Sequence, residues 1–380
     1  MNILHICSDY PYTQIYYQLL NNFSKKHNHI MYVPLNKSDT YDGKYDNIGE
    51  NALIYSRDFT KKDRWFYKKK INKILKSIYK QTFINRCDFV HAHYLFSAGG
   101  VAYRLKKERN IDYIVAVRNT DLNFFFKYGL HLRTYAIKIL EAANKIIFIS
   151  PTYQNRMLEK YVPKRLYEDI LKKSLIIPNG IDDYWHNNIF ERTEVLNNDD
   201  VELLFVGEFT KNKNIPTIIK TVLMLRAEGI KARLTLVGDG SSSKEIDHLV
   251  ENNLSIIKRF NWITSKDALK EIYRKAHIFI MPSINETFGL VYIEAISQGL
   301  PLIYTRNQGI DGYFTDGQVG YACDPNNVQE IVSNIVRIMN NYCAISKRCC
   351  NLVKDFSWHK ISQRYELIYE SFYTDKHFHK

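Results

Sequence analysis

The densest chemistry in this chain lies between Pro282 and Pro301. The string Pro-Ser-Ile-Asn-Glu-Thr-Phe-Gly-Leu-Val-Tyr-Ile-Glu-Ala runs from Pro282 to Ala295. The apolar stretch 277–281 before it reads as a strand. The stretch after Gly289 reads as a helix to Gln298, closed by Gly299-Leu300-Pro301. A strand, a short loop with glycine and a helix start aim main-chain N–H groups at a phosphate. Gly289 has no Cβ, so the backbone there can approach a ligand closely. Glu294 sits more than one turn into the helix, where a carboxylate can accept two hydrogen bonds from a ribose diol. Glu286 precedes it with seven residues between. Two carboxylates at that spacing alone are weak evidence, and the bland alternative is an exposed helix start. Elsewhere, His91-Ala92-His93 ends another apolar run with a spacing that suits zinc. No Cys, Asp or Glu pattern nearby completes such a set, so no metal is expected.

These loops need a frame. Apolar runs at 3–7, 30–33, 89–91, 113–117, 145–149 and 175–177 read as strands, with helix-length segments such as 15–26 and 131–143 between them. The pattern restarts at 202–206 and continues at 233–237, 255–258, 277–281 and 301–304. Alternation of this kind builds parallel sheets covered by helices on both faces, with ligand-binding loops at one edge. At 380 residues the chain is too long for one core. The turn Pro178-Asn179-Gly180 and the polar stretch 187–200 mark the break. The expected domains are 1–183, 200–355 and a helix and tail at 356–380. In that last segment Trp358, Ile361, Tyr365, Ile368 and Tyr369 fall near helical spacing.

The composition is globular, 45% hydrophobic and 24% charged, which excludes low-complexity and collagen-like classes. A net charge of +13 favours anionic partners without choosing among them. Six cysteines without metal spacing read as free thiols of a reducing compartment. The opening residues lack a basic leader, and no apolar run reaches membrane-spanning length. The expected location is cytoplasmic, with peripheral contact to the inner face of the membrane. Nine Lys or Arg residues and one acid, Asp63, lie between Lys61 and Lys80. Ile71, Ile74, Leu75 and Ile78 share one helical face there, Lys69, Lys73, Lys76 and Lys80 the opposite one, and Trp65, Phe66 and Tyr67 flank them. The segment reads either as a helix lying on an anionic membrane or as an ordinary surface helix with its stripe in the core.

The string from Pro282 to Pro301 resembles the retaining glycosyltransferases of the GT-B fold, in particular glycosyltransferase family 4. Phe205-Val206-Gly207-Glu208-Phe209-Thr210-Lys211-Asn212-Lys213-Asn214 resembles the family's strand, glycine turn and phosphate-binding lysine, with Lys213 at the lysine position. Val237-Gly238-Asp239-Gly240 resembles its glycine loop, Pro178–Asp182 its interdomain turn, and 260–263 lies where its base-binding loop belongs. The resemblance implies two doubly wound Rossmann-like domains facing a cleft, with a C-terminal helix crossing back to the N-terminal domain. It implies donor-binding roles for Gly207, Lys211, Lys213, Gly238, Trp262, Ile263, Glu286, Phe288, Gly289, Leu290 and Glu294. His93, Arg118 and Asn119 fall on the acceptor cleft, and Lys213, Glu286, Arg118 and Asp121 are the catalytic candidates. Two positions depart from the pattern. Glu208 stands where the family often has arginine. Arg118 takes the place of a histidine before the pair Thr120-Asp121; it suits an anionic group on donor or acceptor, or forms a structural pair with Asp121.

The expected reaction is retaining, metal-independent, hexosyl-type transfer from a nucleoside-diphosphate sugar, UDP-linked, to a glycan or lipid-linked acceptor in surface polysaccharide, capsule or O-antigen assembly. The diphosphate is already a stable anion on leaving, so positive charge and N–H groups serve better than a strong acid. No cofactor is expected beyond the nucleotide-sugar substrate, and no nucleic acid. The competing readings are a GT-B epimerase, a soluble sugar-phosphate glycosyltransferase, a noncatalytic partner subunit and a nucleic-acid-binding protein.

Overall fold

The computed structural model describes residues 1–64, 66–192, 196 and 200–378. Trp65 and most of the segment 193–199 lie outside the described residues. The chain divides into two compact units. The first comprises Met1–Ile149, Tyr153–Asn179 and Trp358–Lys380, and the second Ser150–Thr152 and Gly180–Ser357.

The first unit is built on seven strands: β1 (Asn2–Ile6), β2 (Asn28–Asn36), β3 (Ala52–Phe59), β4 (Phe89–Ala92), β5 (Asp112–Val117), β6 (Lys145–Phe148) and β7 (Ser174–Ile176). They form one sheet in the order β3-β2-β1-β4-β5-β6-β7, and every pairing is parallel. Near-continuous burial of β1, β4 and β5 fits a sheet covered on both faces. The second unit repeats the plan with six strands: β8 (Asp200–Val206), β9 (Lys231–Val237), β10 (Ile257–Phe260), β11 (Ile278–Met281), β12 (Leu302–Thr305) and β13 (Gly320–Cys323). Their order is β10-β9-β8-β11-β12-β13, again all parallel. In each sheet the order reverses beside the first strand, between β1 and β4 and between β8 and β11. In open α/β sheets ligands bind outside the carboxyl ends of the strands at such a reversal.

The helix Trp358–Phe378 closes the first unit. Trp358, Ile361, Tyr365, Ile368 and Tyr369 are buried in one cluster with Ile3, Phe89, Ile114 and Ile147. Its apolar stripe is therefore a wall of the first core, contributed by the far end of the chain.

The helix Tyr67–Tyr79 decides between the two readings of its apolar face. Ile71, Ile74, Leu75 and Ile78 are all buried, so the apolar face belongs to the core and is not available to a membrane. Lys73 is tied to the buried Asp63 at 2.6 Å. No helix among the described residues is long and apolar enough to cross a membrane.

Candidate functional site

In the second unit the loops leaving β8 and β11 meet at the reversal point. After Gly207 the chain passes the exposed Glu208 and Lys211 and makes a tight turn, Lys211–Lys213. Asn214 ends that turn in the left-handed region, φ 55°, and the helix Ile215–Ala227 follows, with Pro216 in its first turn. Asn212 then clips the two loops together. Its amide donates to the Asn285 carbonyl at 2.8 Å, and its side-chain oxygen accepts from the Asn285 N–H at 3.0 Å. The Ile284 N–H donates to the Asn212 carbonyl at 2.8 Å. The clip delivers Lys213 Nζ to Glu286 Oε2 at 2.6 Å, an ion pair only one-fifth exposed on the lysine side.

Glu286 is fixed from several directions. Its Oε1 accepts from the Thr287 N–H at 3.0 Å, and its own N–H donates to Gln308 Oε1 at 3.2 Å. The Gly309 N–H donates to its carbonyl at 2.9 Å. Gly309 has φ +54°, and a Cβ there would lie 2.9 Å from Glu286 Cγ, so glycine makes this cradle. Asn212, Gln308 and Gly309 were not legible as site residues, because each acts through a partner distant in sequence.

The helix Leu290–Ser297 starts beside this pair. Gly289 caps it with φ +81°, and a Cβ would meet the Tyr292 ring at 2.5 Å. Tyr292 is locked in turn by its hydroxyl, which donates to the Met281 carbonyl at 2.6 Å. The first-turn N–H groups of the helix, from half-buried Leu290 onward, therefore have a fixed direction. Phe288 is buried, and its ring packs with Tyr313 and Phe356, so its side chain belongs to the core. Glu294 lies one turn in and receives the Tyr273 hydroxyl at 3.3 Å. Burial raises its pKa to about 7, against the pull of the Tyr273 hydrogen bond.

Gly207 and Gly238 pack their loops closely. A Cβ on Gly238 would fall 1.9 Å from the Gly207 carbonyl oxygen. Trp262, just past β10, is 61% exposed, with Ile263 half-buried beside it. Gly207, Gly238, Trp262 and Gly289 thus all follow carboxyl ends of strands on one edge of the sheet.

In the first unit the carboxyl edge holds Arg118, Asn119 and Asp121 after β5. Asn119 is exposed, while Arg118 and Asp121 are buried. Asp121 accepts from the main-chain N–H groups of Arg118, Leu95 and Phe96 at 2.8, 3.1 and 3.1 Å. The expected pair between the two side chains is absent among the described salt bridges; the carboxylate ties the loop after β4 to the loop after β5 instead. Burial raises Asp121 to about 6, with those three N–H groups opposing it.

His93 is not on an open wall. It is fully buried, and its Nε2 lies 3.1 Å from His5 Nδ1. His5 Nε2 lies 2.9 Å from His29 Nδ1, and His91 Nδ1 pairs with the Tyr369 hydroxyl at 2.7 Å. Burial holds His5, His91 and His93 well below the ordinary histidine pKa, hence neutral. Parallel register explains the cluster, since β1 pairs His5 with His91 of β4. One nitrogen each from His5, His91 and His93 lie within 4.8 Å of one another, a set that could hold a metal ion. His5 was the missing third member, 86 residues upstream of His91. Two features work against a dication there: the His5 nitrogens already pair with neighbouring histidines, and the Arg118 cation acts on His91 and His93.

Two parallel Rossmann-like sheets, with a lysine–carboxylate pair and a glycine-capped helix at the reversal of the second, define the GT-B class of glycosyltransferases. Residues 187–354 match the family Glycosyl transferases group 1, and residues 15–184 match Glycosyltransferase Family 4. The chain belongs to this family of glycosyltransferases. An uncharacterized glycosyltransferase of Methanocaldococcus jannaschii is 28% identical over 347 residues, 87% of this chain and 88% of its own length. Alpha-monoglucosyldiacylglycerol synthase of Acholeplasma laidlawii is 24% identical over 67% of each chain. The crystal structure of HepE from Anabaena in complex with UDP superposes with a TM-score of 0.71 at 13% identity, covering 98% of this chain and 100% of that one.

Proposed function

We propose that the chain transfers a sugar from a UDP-linked donor to a glycan or lipid-linked acceptor, with retention and without a metal ion, in assembly of surface polysaccharide or glycolipid. The observation that carries this reading is the Lys213–Glu286 pair held beside the Gly289-capped helix start. Lys213 supplies the positive charge, and the helix N–H groups the oriented donors, that a departing diphosphate requires. Together they take the part a metal ion would play. Glu286, released from Lys213 when phosphate binds, is free to hold sugar hydroxyls. With no protein nucleophile in this scheme, the acceptor attacks the face the diphosphate leaves, and a phosphate oxygen takes its proton. Glu294 binds the ribose diol. Lys211, Trp262 and Ile263 complete the donor contacts, and Asn119 the acceptor end, where the buried Asp121 holds the loop in place. Two similar proteins support this choice of substrates: a synthase of a glucosyl diacylglycerol and a structural neighbour crystallised with UDP.

UDP binding measured by calorimetry across pH tests the donor assignment. The folded pKa of Glu294, about 7, lies above its ordinary value of 4.5. The free chain therefore gains most from this group below about pH 4.5 and loses that gain as pH rises through 7. The ribose needs the anion, so UDP affinity moves the other way and strengthens as pH rises through 7. Glu294→Gln is expected to flatten this dependence and weaken UDP by about tenfold, the scale of a hydrogen bond to a charged group. Glu286→Gln acts on turnover instead. Equal losses of UDP affinity in both variants contradict the division of labour.

The proposed location is the cytoplasmic face of the membrane. With the isoleucine stripe in the core, membrane contact would fall to the exposed Lys61, Lys62, Lys68, Lys69, Lys76 and Lys80 together with Phe66. Lysines near an anionic surface contribute on the order of 1 kcal/mol each, and salt screens them. Co-sedimentation with anionic vesicles is expected at low salt, lost at high salt and weakened by the triple change of Lys68, Lys69 and Lys76 to Glu. Binding that is indifferent to salt and to these changes removes this surface from consideration.

A further inference from the structure

Arg118 is a buried cation with no carboxylate in direct contact among the described residues; the Asp121 carboxylate acts on it only through space. Its residue is 7% exposed. One guanidinium nitrogen reaches the Asn179 side-chain oxygen at a long 3.4 Å, and Tyr365 offers its hydroxyl. Both partners are neutral. The Arg118 Nε has no hydrogen-bond partner among the described residues. Among the described residues no carboxylate lies within salt-bridge distance of the guanidinium, and Asp121, the nearest acid in sequence, is turned to three main-chain N–H groups. The carboxylates nearby, Asp121 and Asp9, make no ion pair with it among the described residues, and the remaining titratable groups around it are uncharged. Burial keeps Cys7, Tyr16 and Tyr94 protonated and keeps His91 and His93 neutral.

An arginine cannot escape this situation by losing its proton. A buried, unpaired charge is costly, and a fold that needed only packing at this position would be better served by an apolar residue. The position of the cation suggests what it serves. Arg118 follows β5, next to the β1–β4 reversal, at the edge where α/β sheets take ligands. A second orphan lies in the same neighbourhood: His93 Nδ1 is buried without a partner among the described residues, and Arg118 is among the charges acting on that ring. If the histidine chain runs from His29 through His5 to His93, each ring donating to the next, this nitrogen carries a proton and becomes a second donor.

We propose that Arg118 is the receptor for an oxyanion, a carboxylate or phosphate carried by the substrate bound to the first unit, with His93 Nδ1 as a supporting donor. The planar guanidinium fork matches two oxygens of such a group. This inference rests on the glycosyl-transfer reading and adds that the transferred sugar or its acceptor is itself anionic.

The test uses the full chain and two arms. The acceptor arm compares glycerol 3-phosphate with glycerol, and glucuronate with glucose, in the presence of UDP. The donor arm compares UDP-glucuronic acid with UDP-glucose. Calorimetry is expected to show at least tenfold tighter binding of the charged member in one arm, which also says which substrate carries the anion. Arg118→Gln should abolish the preference, Arg118→Lys should keep part of it, and UDP affinity should stay unchanged in both. The wild-type preference is readable even if a variant fails to fold. Arg118→Met gives an independent reading: removal of an unpaired buried charge raises the Tm of the ligand-free chain, whereas a purely structural arginine would lower it. Equal binding of charged and neutral members in both arms, or a preference that survives Arg118→Gln, overturns the proposal. Loss of UDP binding with an Arg118-dependent preference for glycerol 3-phosphate intact would sink the donor reading alone and support this one.

Discussion

Lys213→Ala is expected to lower kcat/KM for sugar transfer by roughly 10- to 150-fold. A hydrogen bond between charged groups contributes about 1.5–3 kcal/mol, and each 1.36 kcal/mol is about tenfold in rate. The estimate is a lower one for the chemistry, because Lys213 is the sole cation bonded to Glu286 among the described residues, and Glu208 replaces the arginine that the family often adds. Removing the lysine also leaves Glu286 unpaired beside the place where the diphosphate would sit, turning a neutral pair into a repelling charge. Lys213→Arg should recover part of the loss, since charge is kept and geometry is not. The measurement is steady-state transfer with a purified variant whose Tm matches wild type. Undiminished activity would remove Lys213, and with it the site built around it.

The larger structural effect is expected from cutting the chain after Ser357. The cut removes Trp358, Ile361, Tyr365 and Tyr369, all buried in the core of the first unit. Truncating one large buried ring costs about 3–5 kcal/mol, and a whole domain is stable by only about 5–15 kcal/mol. Three rings and an isoleucine exceed that margin. A cut after Asp355 would mix two effects, because Phe356 packs in the second unit and its carbonyl accepts the Ile181 N–H at 2.9 Å. Differential scanning calorimetry should show the second unit's transition retained and the first unit's lost. An unchanged melting profile would refute the role given to this helix. Tyr369→Phe, which removes only the hydroxyl paired with His91, should cost about 1 kcal/mol.

The strands that carry the site were readable because buried parallel strands are short, continuous apolar runs. β3 and β13 were missed for opposite reasons. β3 reads Ala-Leu-Ile-Tyr-Ser-Arg-Asp-Phe, an edge strand with charge inside it. β13 reads Gly-Tyr-Ala-Cys, too short to stand out as an apolar run, and opens on a glycine whose missing Cβ would lie 1.9 Å from the Leu302 carbonyl oxygen. Motif spacing singled out Lys213 and Glu286, which the structure pairs, and Gly289 and Glu294 on the helix that follows. It did not reveal that Asn212 joins the two loops, since an asparagine bonding to main chain 73 residues away leaves no local pattern. The full burial of His93 was not legible because strand alternation says which residues share a face, not whether that face is open. The basic helix at Tyr67–Tyr79 stayed open for the same reason: periodicity announces an apolar stripe, and whether core or lipid covers it is decided by the sheet beneath.

The return of the last helix to the first unit has a consequence for biosynthesis. When the ribosome has finished residue 179, all seven strands of the first sheet exist, but the segment that covers Ile3, Phe89, Ile114 and Ile147 does not. About two hundred further residues must be made, which at typical rates takes roughly 10–40 s. Through that interval the second unit can complete its fold while the first waits with an uncovered apolar face, the kind of surface that chaperones hold. The half of the polypeptide made first is thus the last to become native.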